Sequence, residues 1–212
     1  MLALFNVESW IESGGLAILA TIVFAESGLL VGFFLPGDSL LFIAGFLTSS
    51  AGPAALSVKP DSLPSLPLVA IVVVLAAIIG DQVGYMFGRK VGPSLFQREE
   101  SRLFKPSHVS KARSFMDKHG SKTIVMARFV PIVRTFAPIV AGVSNMQYRT
   151  FVTYNIVGGI VWGAGLTTLG HYLGDIAWVK DNIEIASLVI VFISVLPMII
   201  EFARHRRHNP AH

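Results

Sequence analysis

Six apolar runs, at roughly residues 15–35, 39–51, 67–88, 123–146, 150–174 and 184–203, constrain this chain more than any other feature. About 20 predominantly apolar residues cross a bilayer core as a helix, so runs of this length and number belong in lipid. The whole-chain figures agree: 53% hydrophobic and 14% charged residues, with a mean hydropathy of +0.65, exceed what a soluble domain of 212 residues needs for its core. In lipid every backbone polar group must be satisfied within the protein, which favours helices. The expected class is an all-α polytopic membrane protein with one membrane domain over residues 15–203.

The flanks narrow the compartment. Residues 1–14, "MLALFNVESWIESG", carry Glu8 and Glu12 where a cleavable signal would have a basic region, and read as an amphipathic N-terminal segment that stays on the protein. The absence of cysteine excludes disulfides, thiolate catalysis and Cys-based metal sites. The net charge of +4 comes from basic residues that flank apolar runs, which makes it an orientation signal and not a nucleic-acid footprint. No nucleic-acid partner, metal or cofactor is expected, and the oligomeric state is left open.

Orientation exposes an anomaly in the fourth run. The basic segment 89–122 and the tail 204–212, with Arg204, Arg206 and Arg207, should both be cytoplasmic. If 123–146 crossed fully, two further crossings would leave that tail outside. If 123–146 enters and returns, Arg149 stays inside, the acidic link with Asp175, Asp181 and Glu184 lies outside, and the C-terminus is cytoplasmic. Insertion energy points the same way. About ten Ile, Val and Phe residues at roughly −0.3 to −0.6 kcal/mol each barely offset Arg128 and Arg134 at roughly +2.5 to +3.5 kcal/mol each. Pro131 and Pro138 each remove a backbone donor and disfavour helix in the preceding residue, a mechanical reason for a turn at membrane depth. The expectation is a re-entrant hairpin over about 123–146 facing a polar cavity.

The first half repeats the pattern with opposite charge. In "FAESGLLVGFFLPGDSLLFIAGFL", Glu26 interrupts an apolar run and Pro36, Gly37 and Asp38 break it, predicting a hairpin over about 20–51 that enters from outside. Each broken segment ends in an Ala-Gly pair, at 44–45 and 141–142, and a glycine-rich span follows each. The first has Gly80, Gly84, Gly88 and Gly92; the second has Gly159, Gly163, Gly170 and Gly174, a spacing that lets helix backbones approach closely. The expected architecture is two opposed re-entrant helical hairpins in an inverted repeat, with about three to four transmembrane helices and an interfacial cytoplasmic helix within 94–119.

Ionisable residues at membrane depth are functional-site candidates by default. Should the hairpins meet, Glu26 and Asp38 face Arg128 and Arg134, and the guanidinium groups suit an anionic group such as phosphate. Burial favours a neutral carboxylate and a neighbouring arginine favours an ionised one, so Glu26 and Asp38 are candidate proton carriers. A purely structural ion-pair network is the competing reading. Asp81 is a possible supporting residue, equally well read as a satisfied polar group in a glycine-packed helix. His171 reads as an interfacial histidine, since metal sites need clustered ligands. No zinc-protease, nucleophile-elbow, phosphate-loop or lipid-phosphatase motif is present, and the chain is expected not to be an enzyme.

"FAESGLLVGFFLPGDSLLFIAG", "GDQVGYMFGR" and "KTIVMARFVPIVRTFAPIVAG" together resemble the DedA family of bacterial inner-membrane proteins, from about residue 15 to the basic tail. That family carries the domain shared with eukaryotic lipid scramblases of the VTT type. The resemblance implies opposed re-entrant hairpins and movement of an envelope lipid, such as undecaprenyl phosphate, dependent on the proton motive force. The family's acidic and arginine residues would fall on Glu26, Asp38, Arg128 and Arg134. The expected function is a flippase for a phosphate-headgroup lipid, undecaprenyl phosphate or a phospholipid, in the bacterial inner membrane. The alternatives are a proton-coupled transporter of small ions or osmolytes and a membrane scaffold.

Overall fold

The computed structural model describes residues 7–29, 37–56, 63–95, 120, 122–129, 131–182, 185 and 189. Pro36, most of the segment expected as an interfacial helix, the run 184–203 apart from Ile185 and Val189, and the tail 204–212 lie outside the described residues. The regular structure among the described residues is all helical, with no strand. In chain order the helices are α1 (Val7–Gly28), α2 (Gly37–Leu47), α3 (Gly52–Ala55), α4 (Leu66–Leu95), α5 (Lys122–Ala127), α6 (Pro131–Val143), α7 (Tyr148–Gly174) and α8 (Ala177–Asp181).

Length separates them into two kinds. The apolar stretches Leu66–Val91 of α4 and Tyr148–Gly174 of α7 have 26 and 27 residues, long and apolar enough to cross a membrane. At 1.5 Å per residue, the 11 residues of α2 and 13 of α6 reach only roughly 16 and 20 Å, short of a bilayer core of roughly 30 Å.

Helix α4 exposes many bulky apolar residues and buries small and polar ones together with Val69, Val73 and Tyr85. Leu68, Ile71, Leu75, Ile79 and Met86 are exposed along one side, while Ala76, Ala77, Gly80, Asp81 and Gly84 face inward. Small and polar residues inside with bulky apolar ones outside suit a helix solvated by lipid.

The glycine spacing read from sequence is where the helices touch. Gly80 of α4 meets the backbone of Phe24 and Gly28 of α1, and Gly88 lies on the Ile139 backbone of α6. Gly170 of α7 lies on Phe42 of α2, and Gly174 on Phe46 and Ser49. The Ala-Gly ends engage the opposite half: Gly45 packs on Thr167, and Gly142 on Tyr85, Gly88 and Arg89. Each short helix therefore docks on the long helix of the other half. The long helices run antiparallel, since Gly159 meets Ile78 while Gly163 meets Val73 and Val74.

Helix α7 contains a π turn at Ile160–Ala164. Its buried row runs Asn155, Gly159, Gly163, Thr167, Gly170, Gly174, five turns in 19 residues where an α-helix needs 18. The π turn absorbs the extra residue and keeps both ends of the row facing inward.

Pro131 acts as expected and Pro138 does not. Pro131 is the first residue of α6, where its missing N–H is harmless, and Pro138 sits inside α6 without ending it, against Gly84. The break falls just before Pro131, where Arg128 and Phe129 bond back three residues to Val125 and Met126 and close α5. At its other end α6 stops in a left-handed residue, Asn145 (φ 56°), with Met146 N–H donating to Ala141 O at 3.0 Å.

Candidate functional site

Five charged residues among those described, Glu26, Asp38, Asp81, Arg128 and Arg134, are buried within this helical assembly, none more than 7% exposed. Glu26 stands near the end of α1, and Asp38 in the first turn of α2, where the helix dipole favours a negative charge. Asp81 is on the glycine face of α4. Arg128 lies in the link between α5 and α6, and Arg134 in the first turns of α6.

Arg134 joins the two halves. Its Nη1 donates to Asp38 Oδ1 at 2.7 Å and its Nη2 to Glu26 Oε1. The guanidinium also stacks on the Trp162 indole, 4.5 Å from the ring centroid, and Trp162 Nε1–H donates to Asp38 Oδ1 at 2.8 Å. Glu26 Oε2 points at the Gly37 backbone and meets no side-chain donor among the described residues. A Cβ at Gly37 would overlap that carboxylate, which is a physical reason for glycine in Pro-Gly-Asp.

Arg128 makes a separate cluster. Its Nη2 donates to Asp81 Oδ2 and to Asn155 Oδ1. Asn155 is oriented by its own amide, which donates to Ile78 O at 3.1 Å. Gly158 leaves room for the arginine, since a Cβ there would lie 2.9 Å from Arg128 Nε. Arg128 Nε and Nη1, Arg134 Nε and Asp81 Oδ1 have no hydrogen-bond partner among the described residues. The two clusters touch where Arg134 Nη1 reaches Arg128 O at 3.5 Å.

The expectation that Glu26 and Asp38 meet the arginines therefore holds for Arg134, whereas the carboxylate on Arg128 is Asp81. Asn155 and Trp162 were not singled out by sequence. Asn155 interrupts the apolar "TYNIVGG", and Trp162 lies in mid-helix, away from the interfacial belts where membrane tryptophans concentrate; both are signals of an interior role. His171 accepts or donates at Nδ1 to Thr48 Oγ1 at 2.9 Å, tying α7 to the end of α2.

The VTT domain model matches residues 35–172, a range that holds Asp38, Asp81, Arg128, Arg134, Asn155 and Trp162 and begins after Glu26. The chain belongs to the VTT-domain, DedA family. It is 44% identical over 191 residues to Protein DedA of Escherichia coli, covering 90% of this chain and 83% of that protein. An uncharacterized membrane protein of Mycobacterium tuberculosis is 45% identical over 192 residues, with 89% and 80% covered. Inner membrane protein YghB of Escherichia coli is 30% identical over 181 residues, with 85% and 76% covered. No solved structure matches the chain. These relatives and the exposed apolar surface of α4 agree that this DedA-family chain is a membrane protein.

Proposed function

We propose that the chain is a multi-pass lipid transporter of the bacterial inner membrane that moves a phosphate-headgroup lipid between leaflets, with Arg134 as the principal headgroup ligand. The observation that carries this reading is a buried guanidinium held by side chains from three other helices, Glu26, Asp38 and Trp162, where both short helices meet the long ones. Arginine suits phosphate through parallel N–H donors, and a charge at such depth is expensive unless it has a use. The helices α2 and α6 are the inner arms of two re-entrant hairpins in this reading, and their crossed docking supports an inverted repeat. Antiparallel α4 and α7 bring Arg89 and Arg149 to one end, with Tyr85 stacked on Phe151 at 4.4 Å, which supports a cytoplasmic face there and a cytoplasmic C-terminus.

Three carboxylates against two arginines leave the ionised cluster one negative charge in excess. An anionic headgroup competes with those carboxylates for Arg134, and a proton on Glu26 or Asp38 would relieve that competition. Lipid movement is on this account coupled to protons. The same charge excess favours one second reading, a proton-coupled transporter of a small cation or osmolyte. Reconstituted phosphatidylcholine vesicles carrying a fluorescent long-chain alkyl monophosphate separate the two. Movement of the phosphate lipid between leaflets, lost in folded Arg134→Lys protein, supports lipid transport; proton-driven cation flux without lipid movement supports the second reading and rejects the first.

A further inference from the structure

Trp162 sits in the π turn of α7, 2% exposed, and makes two different contacts with the same cluster. Its ring lies under Arg134, and its N–H shares Asp38 Oδ1 with Arg134 Nη1. The two carboxylates around Arg134 are thereby unequal. Asp38 Oδ1 receives two side-chain donors, 2.7 and 2.8 Å away, while Glu26 has Arg134 Nη2 as its side-chain donor and turns its other oxygen to the Gly37 backbone.

We propose that Trp162 is a positioning residue that ties Asp38 in place, so that Glu26 is the carboxylate an incoming anionic headgroup displaces from Arg134. The role of the headgroup rests on the lipid-transport reading above; the tie between the indole and Asp38 does not. Without its indole partner, Asp38 is free to turn both oxygens onto Arg134, and a carboxylate paired in that bidentate way competes harder with phosphate. The π turn belongs to the same device. It holds Trp162 toward α2 and α6 while Thr167 Oγ1 takes the carbonyl of Gly163, within the π turn, at 2.8 Å.

Two measurements test the proposal. The first uses the full chain with Trp10→Phe and Trp178→Phe, leaving Trp162 as the sole tryptophan. Its emission maximum in phosphatidylcholine nanodiscs should shift on Asp38→Asn and hold steady on Asp81→Asn. An emission spectrum indifferent to Asp38→Asn overturns the proposal, whatever transport shows. The second measures leaflet exchange of a fluorescent alkyl monophosphate in phosphatidylcholine vesicles as its mole fraction rises. Trp162→Phe, which keeps a ring on Arg134 and removes the donor, should raise KM roughly tenfold with kcat little changed, as expected for loss of one charge-assisted hydrogen bond. Trp162→Leu removes ring and donor together and should also lower kcat. A wild-type KM in folded Trp162→Phe protein overturns the proposal. Failure of the wild type to move the phosphate lipid rejects the transport reading alone, because the emission shift still decides the tie.

Discussion

The Arg128 and Arg134 clusters stand six residues apart in sequence and solve the burial of a cation in different ways. Arg128 has one carboxylate and one neutral amide, Asp81 and Asn155, both on long helices. Arg134 has two carboxylates, from α1 and α2, and an aromatic face. The first is balanced in charge and fastens the link between α5 and α6 to α4 and α7. The second carries an excess negative charge and lies where α1, α2, α6 and α7 converge. A balanced pair has little reason to exchange partners, whereas an arginine shared by two carboxylates can give one up. That contrast supports the proposed role of Arg134 in binding, with Arg128 as the fastening residue.

The largest effect should come from removing Arg134. Arg134→Ala leaves Glu26 and Asp38 buried side by side without a cation, and breaking such a contact by deleting one partner costs about 3–5 kcal/mol. Thermal unfolding in detergent should show a large fall in midpoint, with transport abolished. Arg134→Lys keeps the charge, so a folded protein is expected, without the parallel donors a phosphate needs. Transport at the wild-type rate in Arg134→Lys would take the headgroup away from this arginine.

Paired replacement breaks the comparison more directly. Exchanging a whole buried ion pair for apolar residues of similar size is often neutral, since the desolvation penalty disappears with the charges. Arg128→Met with Asp81→Leu should therefore recover most of the stability lost in either single variant, within about 1–2 kcal/mol of the wild type. Arg134→Met with Asp38→Leu should not recover, because Glu26 remains buried and unpaired. Midpoints for the four single and two double variants decide the matter. Equal rescue in both clusters would remove the distinction between a fastening pair and a shared arginine.

Much of this arrangement was legible in the chain. Glu26, Asp38, Arg128 and Arg134 are visible because charge in an apolar run is improbable without a partner, and the glycine rows are visible because their spacing repeats. The pairing was not legible: which arginine meets which carboxylate depends on the crossing of helices far apart in sequence. Asp81 lies 47 residues from Arg128, and nothing local distinguishes it from Asp38 as a partner. Pro138 misled because a proline's effect depends on its neighbours: against Gly84 the helix continues past it. The π turn was not legible, because the gaps of four and seven between Gly159, Gly163, Gly170 and Gly174 also fit an unbroken α-helix.

The smallest effects test whether the two halves are equivalent scaffolds around unequal clusters. Gly88→Ala would drive a methyl into the Ile139 carbonyl of α6, and Gly170→Ala one into the Phe42 carbonyl of α2. Backbone cannot yield as a flexible side chain can, so each should destabilise by about 1–3 kcal/mol, through overpacking. Gly165→Ala on the same helix as Gly170 meets nothing within 4 Å and should be neutral or stabilising by up to about 1 kcal/mol. Similar losses for Gly88→Ala and Gly170→Ala would place the asymmetry in the charged residues alone, since each glycine seats the short helix of the opposite half. A loss confined to Gly88→Ala would mean that the seat of α6, the helix carrying Arg134, is the more rigid of the two, and that α2 can shift with Asp38 when the cluster rearranges.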